Sequence, residues 1–174
     1  FTALAGDAEL RLGALDFVAG RYERAYQHYA DALRLRESLG NVRGAVSARM
    51  AAADALRMLG REPEAWERYV ANLRVGALGD WNLESVRLTG PAQASLTGRP
   101  AVALAFAREA AQHGESLGQM GFVANARQFE ARALWRLGEA DAAGEVLARG
   151  REALDRHGDL AIRERYLAEF ALAE

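Results

Sequence analysis

The stretch GRYERAYQHYADALRLRESLG, Gly20 to Gly40, holds one complete helix between two glycines. Tyr22, Ala25, Tyr26, Tyr29, Ala32 and Leu33 recur at steps of three and four, the period that gathers side chains on one face of an α-helix. Glycine at either end enters the left-handed backbone that stops a helix without a Cβ penalty. A lone amphipathic helix has nothing to bury its stripe against. The fold therefore depends on whether the pattern recurs.

It recurs along the whole chain. The spacings of Gly20, Gly60, Gly98 and Gly138 are 40, 38 and 40, and an alanine follows each by five positions: Ala25, Ala65, Ala103 and Ala143. A second series, Gly40, Gly79, Gly118 and Gly158, is spaced by 39, 39 and 40, with Glu37-Ser38-Leu39-Gly40 repeated as Glu115-Ser116-Leu117-Gly118. The two series predict helices over Gly6–Ala19, Tyr22–Leu39, Val42–Leu59, Pro63–Val75, Trp81–Leu96, Pro100–His113, Phe122–Leu137 and Ala140–Arg156. A last helix over Leu160–Ala173 is expected to cap the stack. Connections of two to six residues imply antiparallel neighbours. The expected domain is one helical array over 1–174, in units of about 4–40, 41–79, 80–118 and 119–158 with a capping helix at 159–174. Thr89-Gly90-Pro91 interrupts the first helix of the third unit, so a break or kink is expected there, either tolerated or shaping a binding surface.

Composition agrees and excludes much else. The chain has 174 residues, is 51% apolar and 26% charged, and contains 3 prolines, the balance of a folded helical domain. A formal net charge of −2 argues against non-specific nucleic-acid binding, and the absence of cysteine removes disulfides and thiolate sites. All 22 basic residues are arginine, which a coding bias explains as readily as a function. No apolar run approaches the length of a membrane span, and no leader peptide is recognisable. A cytoplasmic protein, or a piece of one, without cofactor or metal is the expectation. His28, His113 and His157 are scattered at structural or surface positions. No metalloprotease helix, nucleophile elbow or phosphate loop occurs, so catalysis is not expected.

With Leu12-Gly13, Phe17, Gly20, Tyr22, Ala25, Tyr29 and Ala32 in the first unit, the sequence resembles the tetratricopeptide repeat family. Ala53, Gly60, Ala65, Tyr69 and Asn72 carry the likeness in the second, Gly98, Ala103, Ala107 and Ala110 in the third, and Gly138, Ala143, Leu147 and Gly150 in the fourth. The units are longer than the family's usual length of about 34 residues and are similar to the long-unit repeats of bacterial regulatory proteins. The resemblance implies a right-handed α-solenoid of antiparallel helix pairs that binds a protein or peptide, with the first helix of each unit on the concave face. It would place Asp7, Leu10, Ala14, Phe17 and Val18 there, then Ser47, Met50, Asp54, Arg57 and Met58. Ser85, Leu88, Ala92 and Ser95 would follow from the third unit.

From the fourth unit, Asn125, Gln128, Arg132 and Trp135 advance by three, four and three along one helix face, with Arg136 beside them. Amides can clasp a peptide backbone, arginine can hold a carboxylate, and an exposed aromatic can anchor an apolar group. Arg49 and Arg57 add positive charge, and Asp54 shares their helix. The competing interpretation makes Trp135 a core aromatic and pairs Arg132 with Glu130 or Glu139. The expected role is the sensor or scaffold portion of a regulatory protein. Alternatives are a homo-oligomerisation scaffold, or part of a transcription regulator whose DNA-binding domain lies elsewhere. A protein or peptide partner or a homodimer is expected, with no direct nucleic-acid contact and no membrane.

Overall fold

The computed structural model describes residues 2–75, 81–96 and 98–156, and of residues 2, 3 and 81–86 the backbone alone. Among the described residues the chain is all-helical, an α-solenoid arrangement of helix pairs. In order the helices are α1 (Thr2–Val18), α2 (Tyr22–Ser38), α3 (Val42–Met58), α4 (Glu62–Leu73), α5 (Trp81–Ser95), α6 (Pro100–Ser116), α7 (Met120–Arg136) and α8 (Ala140–Asp155). They belong to two compact units, Phe1–Arg87 and Leu88–Glu174. Gly79, Gly158, His157 and the expected capping helix lie outside the described residues, as does the side chain of Ser85.

Each glycine turn is built by the same local bonds. Gly20, Gly40, Gly60, Gly118 and Gly138 all have positive φ, between 64° and 85°. In each, the glycine N–H donates to the carbonyl three residues back and the next N–H donates to the carbonyl five residues back, as Gly138→Trp135 (3.0 Å) and Glu139→Leu134 (3.0 Å) do. This pair of bonds satisfies carbonyls that the helix end leaves open. Gly98 is different. It has no positive φ, and Arg99 N–H instead donates to the Ser95 carbonyl at 2.8 Å.

The four phase-locked alanines, Ala25, Ala65, Ala103 and Ala143, are all buried. In the first unit Ala25, Tyr29, Ala52 and Ala55 pack with Leu10, Phe17 and Tyr26, joining α1, α2 and α3. In the second, Ala131, Leu134, Ala143 and Val146 pack with Leu104 and Leu147, joining α6, α7 and α8. Small side chains at the contacts let the helix axes approach, and no helix could bury its stripe alone.

Two expectations are corrected. The expected break does not occur: the helix α5 continues through Thr89-Gly90-Pro91 with Pro91 inside it. Proline there removes one backbone donor, but Leu88, Pro91 and Ala92 are buried and Ser95 Oγ donates to the Pro91 carbonyl at 2.8 Å, so packing offsets the lost bond. Met50, Leu88, Ala92 and Ser95, expected to face a groove, are buried. Leu88, Ala92 and Ser95 lie on a packing face of α5, whereas on α3 Met50 alone of the expected positions is buried: Ser47, Asp54 and Arg57 are half-buried and Met58 is exposed.

The two units also share a longer period. Tyr22–Ser38 matches Pro100–Ser116, Val42–Met58 matches Met120–Arg136, and the start of α4 at Glu62 matches that of α8 at Ala140, each time with the residue number raised by 78. Residues related by this offset occupy the same place in each unit's helix order.

Candidate functional site

The long offset makes each unit a control for the other. One ion pair is common to both: Arg49 Nη2 meets Glu37 Oε1 at 2.6 Å, and its equivalent Arg127 Nη2 meets Glu115 Oε1 at 2.7 Å. Both guanidiniums are largely covered and both carboxylates half exposed. Arg49 also donates to Asn72 Oδ1 at 2.7 Å, while the Asn72 amide donates to the Val46 carbonyl at 3.1 Å. Arg127 instead donates to Glu130 Oε2 at 2.5 Å, and Glu130, 3% exposed, receives Arg108 Nε at 3.1 Å. Burial works against the charge of Arg127, but bonds to Glu130 and Glu115 outweigh it and hold the guanidinium above its ordinary value. The pair is a helix-to-helix clamp. Arg49, chosen from the sequence as a ligand contact, is one of its members.

Asp54 has an internal partner in the first unit, Tyr69, and the Arg57 charge lies near both. Tyr69 Oη donates to Asp54 Oδ1 at 2.8 Å. Burial pushes the Asp54 carboxyl above its usual range, against the Tyr69 bond and the Arg57 charge, which pull it down. Burial and the Asp54 charge together push the Tyr69 phenol far above its usual range, so it stays a donor. Tyr29 is raised for the same two reasons. The group is a buried tyrosine–carboxylate network under α3.

The equivalents of this network in the second unit are chemically different. Asp54 corresponds to Arg132, Arg57 to Trp135 and Tyr69 to Leu147. With the phenol gone and the carboxylate replaced by a cation, the internal partners no longer exist. Arg132 and Arg136 are exposed and have no ion pair among the described residues. Arg132 makes no ion pair with Glu130, which is held by Arg108 and Arg127, nor with Glu139 among the described residues. Trp135 is 68% exposed and is not a core aromatic.

Asn125 is half-buried on the same side, and Gln128 is 6% exposed with an amide nitrogen that has no hydrogen-bond partner. A buried, unmatched amide costs roughly 1–3 kcal/mol. The α7 face thus presents two exposed guanidiniums and an exposed indole, with the unmatched Gln128 amide buried beneath them rather than open to a partner.

Beside this face, the end of α7 and one side of α8 enclose an open cleft of about 270 Å³. Sequence reasoning missed it, although the substitution that opens it, glycine at 144 where the long offset finds Trp66, is visible in the sequence. The repeated clamp was legible in the same way, from the duplicated Glu-Ser-Leu-Gly. No cluster of metal-binding side chains occurs among the described residues, and none of their helices is long and apolar enough to cross a membrane. Compared with known proteins, the chain matches no family model and no curated protein.

Proposed function

We propose that this chain is a protein- or peptide-binding module that makes contact through the face of α7 bearing Asn125, Gln128, Arg132, Trp135 and Arg136. The observation carrying this is the contrast between equivalent positions. Asp54 and Tyr69 answer each other inside the first unit, with the Arg57 charge beside them, whereas Arg132, Trp135 and Leu147 leave polar and aromatic groups unanswered. Exposed donors beside an exposed indole suit an extended segment with carboxylates and an apolar anchor. On this proposal the array is a tetratricopeptide-like sensor or scaffold portion of a bacterial regulatory protein, without catalysis, and Arg49, Asp54 and Arg57 serve its framework.

Selection of a random peptide library on the immobilised chain tests the proposal. Peptides that emerge should bind the Arg132→Glu variant at least tenfold more weakly. They should lose about 30-fold on Trp135→Ala, the equivalent of an anchor worth about 2 kcal/mol. Both residues are exposed, so the melting temperature should stay within about 2 °C, as for surface changes of under about 0.5 kcal/mol. Equal affinity for wild type and both variants would remove the α7 face from consideration.

A further inference from the structure

Beside the cleft at Trp135 the two units differ in side-chain bulk. In the first unit α4 carries Trp66, Tyr69 and Val70, and the Trp66 and Tyr69 rings meet edge to face at 5.7 Å. The equivalents on α8 are Gly144, Leu147 and Ala148. All three are smaller. A Cβ built on Gly144 meets nothing within 4 Å, so the space beside it is open.

The resulting cleft, walled by Trp135, Ala140, Gly144, Leu147 and Ala148 with Arg151 as the charged lining residue, holds about 270 Å³. That is below the roughly 300–1,000 Å³ of pockets that enclose a whole small molecule. It suits one large side chain. Its walls are mainly apolar, and an aromatic guest can lie against the Trp135 indole in the offset or edge-to-face geometry that rings prefer.

Charge limits the guest's neighbours. Trp135 is flanked on α7 by Arg132 and Arg136, neither with an ion pair among the described residues. A segment carrying carboxylates next to its aromatic residue would answer this charge, and one carrying lysines would be repelled.

We propose that the cleft receives an aromatic side chain from an acidic partner segment, so that a group the first unit supplies internally as Trp66 is supplied to the second unit from outside. This rests on the proposed use of the α7 face and names the partner chemistry of that site.

The test uses the full chain and three fluorescein-labelled peptides, Glu-Glu-Trp-Glu-Glu, Glu-Glu-Ala-Glu-Glu and Lys-Lys-Trp-Lys-Lys, titrated by fluorescence anisotropy. The acidic tryptophan peptide should bind at least tenfold more tightly than either control. Gly144→Trp should fill the cleft and weaken that peptide at least tenfold. Glycine is the poorer helix former at this exposed helical position, so the variant's melting temperature should not fall. Gly144→Leu provides a second, smaller filling should the indole disturb α8.

Acidic peptides that bind equally with Trp or Ala, yet weaken on Arg132→Glu, would overturn the cleft and leave the α7 face standing. Binding of none of the peptides at millimolar concentration, or equal binding of the lysine peptide, overturns the proposed acidic segment. The α7 face itself is then judged by the library selection. Sedimentation separates the remaining occupant: a homodimer dissociated by Gly144→Trp would show that a second copy fills the cleft, and would overturn a separate acidic segment.

Discussion

At the scale of single residues, the buried charges decide stability more sharply than the exposed ones. Glu130 is 3% exposed and held by Arg108 and Arg127, so removing it leaves Arg127 with Glu115 alone. Deleting one partner of a fully buried ion pair costs about 3–5 kcal/mol, but Arg108 is half exposed and can turn to water. Glu130→Ala is therefore expected to cost about 2–3 kcal/mol in urea unfolding, with the slope unchanged. A loss below about 0.5 kcal/mol, the size of an ordinary surface change, would show that the network is only decorative. Asp54 acts with the opposite sign from most carboxylates. Its folded pKa lies above the ordinary 3.8, so between the two values the native state holds more protons than the unfolded chain. Stability contributed by this group is greatest at low pH, declines as pH rises through that window, and is flat above it. Asp54→Asn keeps an acceptor for Tyr69 and should flatten that decline. Unfolding curves taken every half pH unit from 3.5 upwards would expose the idea as wrong if wild type and variant ran parallel.

At the scale of helices and turns, the sequence was most legible where local chemistry acts without help. Each glycine with positive φ ends a helix by the same two bonds, and these turns follow from the glycine spacing because no other residue takes that conformation cheaply. Gly98 occupies the same phase with an ordinary backbone. Gly138→Ala, at φ 85°, should accordingly lose about 1 kcal/mol, whereas Gly98→Ala should be neutral or gain up to about 0.5 kcal/mol by restricting the unfolded chain. Thermal melts of the two variants measured together would contradict this assignment if both fell equally. Less legible was the rotation of each helix about its own axis. Met50, Ala92 and Ser95 fit an exposed stripe as well as a packed one when only the period is known. Pro91 was similarly ambiguous, since burial of its neighbours outweighs a broken backbone bond and burial is a tertiary fact. The α7 face could be proposed from residue types alone. Its lack of partners could not, because it depends on where Arg108 and Arg127 hold Glu130.

Over the whole molecule, packing follows chain order: α1 on α2, α2 on α3 and α3 on α4 in the first unit, and α6 on α7 and α7 on α8 in the second. Such an array is stabilised mainly by contacts between neighbours, so damage should remain near its origin. Gly13 offers a clean place to apply it. A Cβ there would lie 2.5 and 2.6 Å from carbons of the buried Tyr29 ring, which is itself packed against Ala25, Ala52 and Ala55. The ring has little room to withdraw, so Gly13→Ala should strain the α1–α2 contact by about 1–3 kcal/mol. In native-state hydrogen exchange this would appear as roughly 5- to 150-fold faster exchange of protected amides in α1 and α2, converting that cost at about 1.4 kcal/mol per tenfold. Amides of α6, α7 and α8 should keep their wild-type rates, because their packing lies in the other compact unit. If exchange instead rose equally in α2 and α7, the chain would open as one cooperative body, and the nearest-neighbour account of its stability would have to be abandoned.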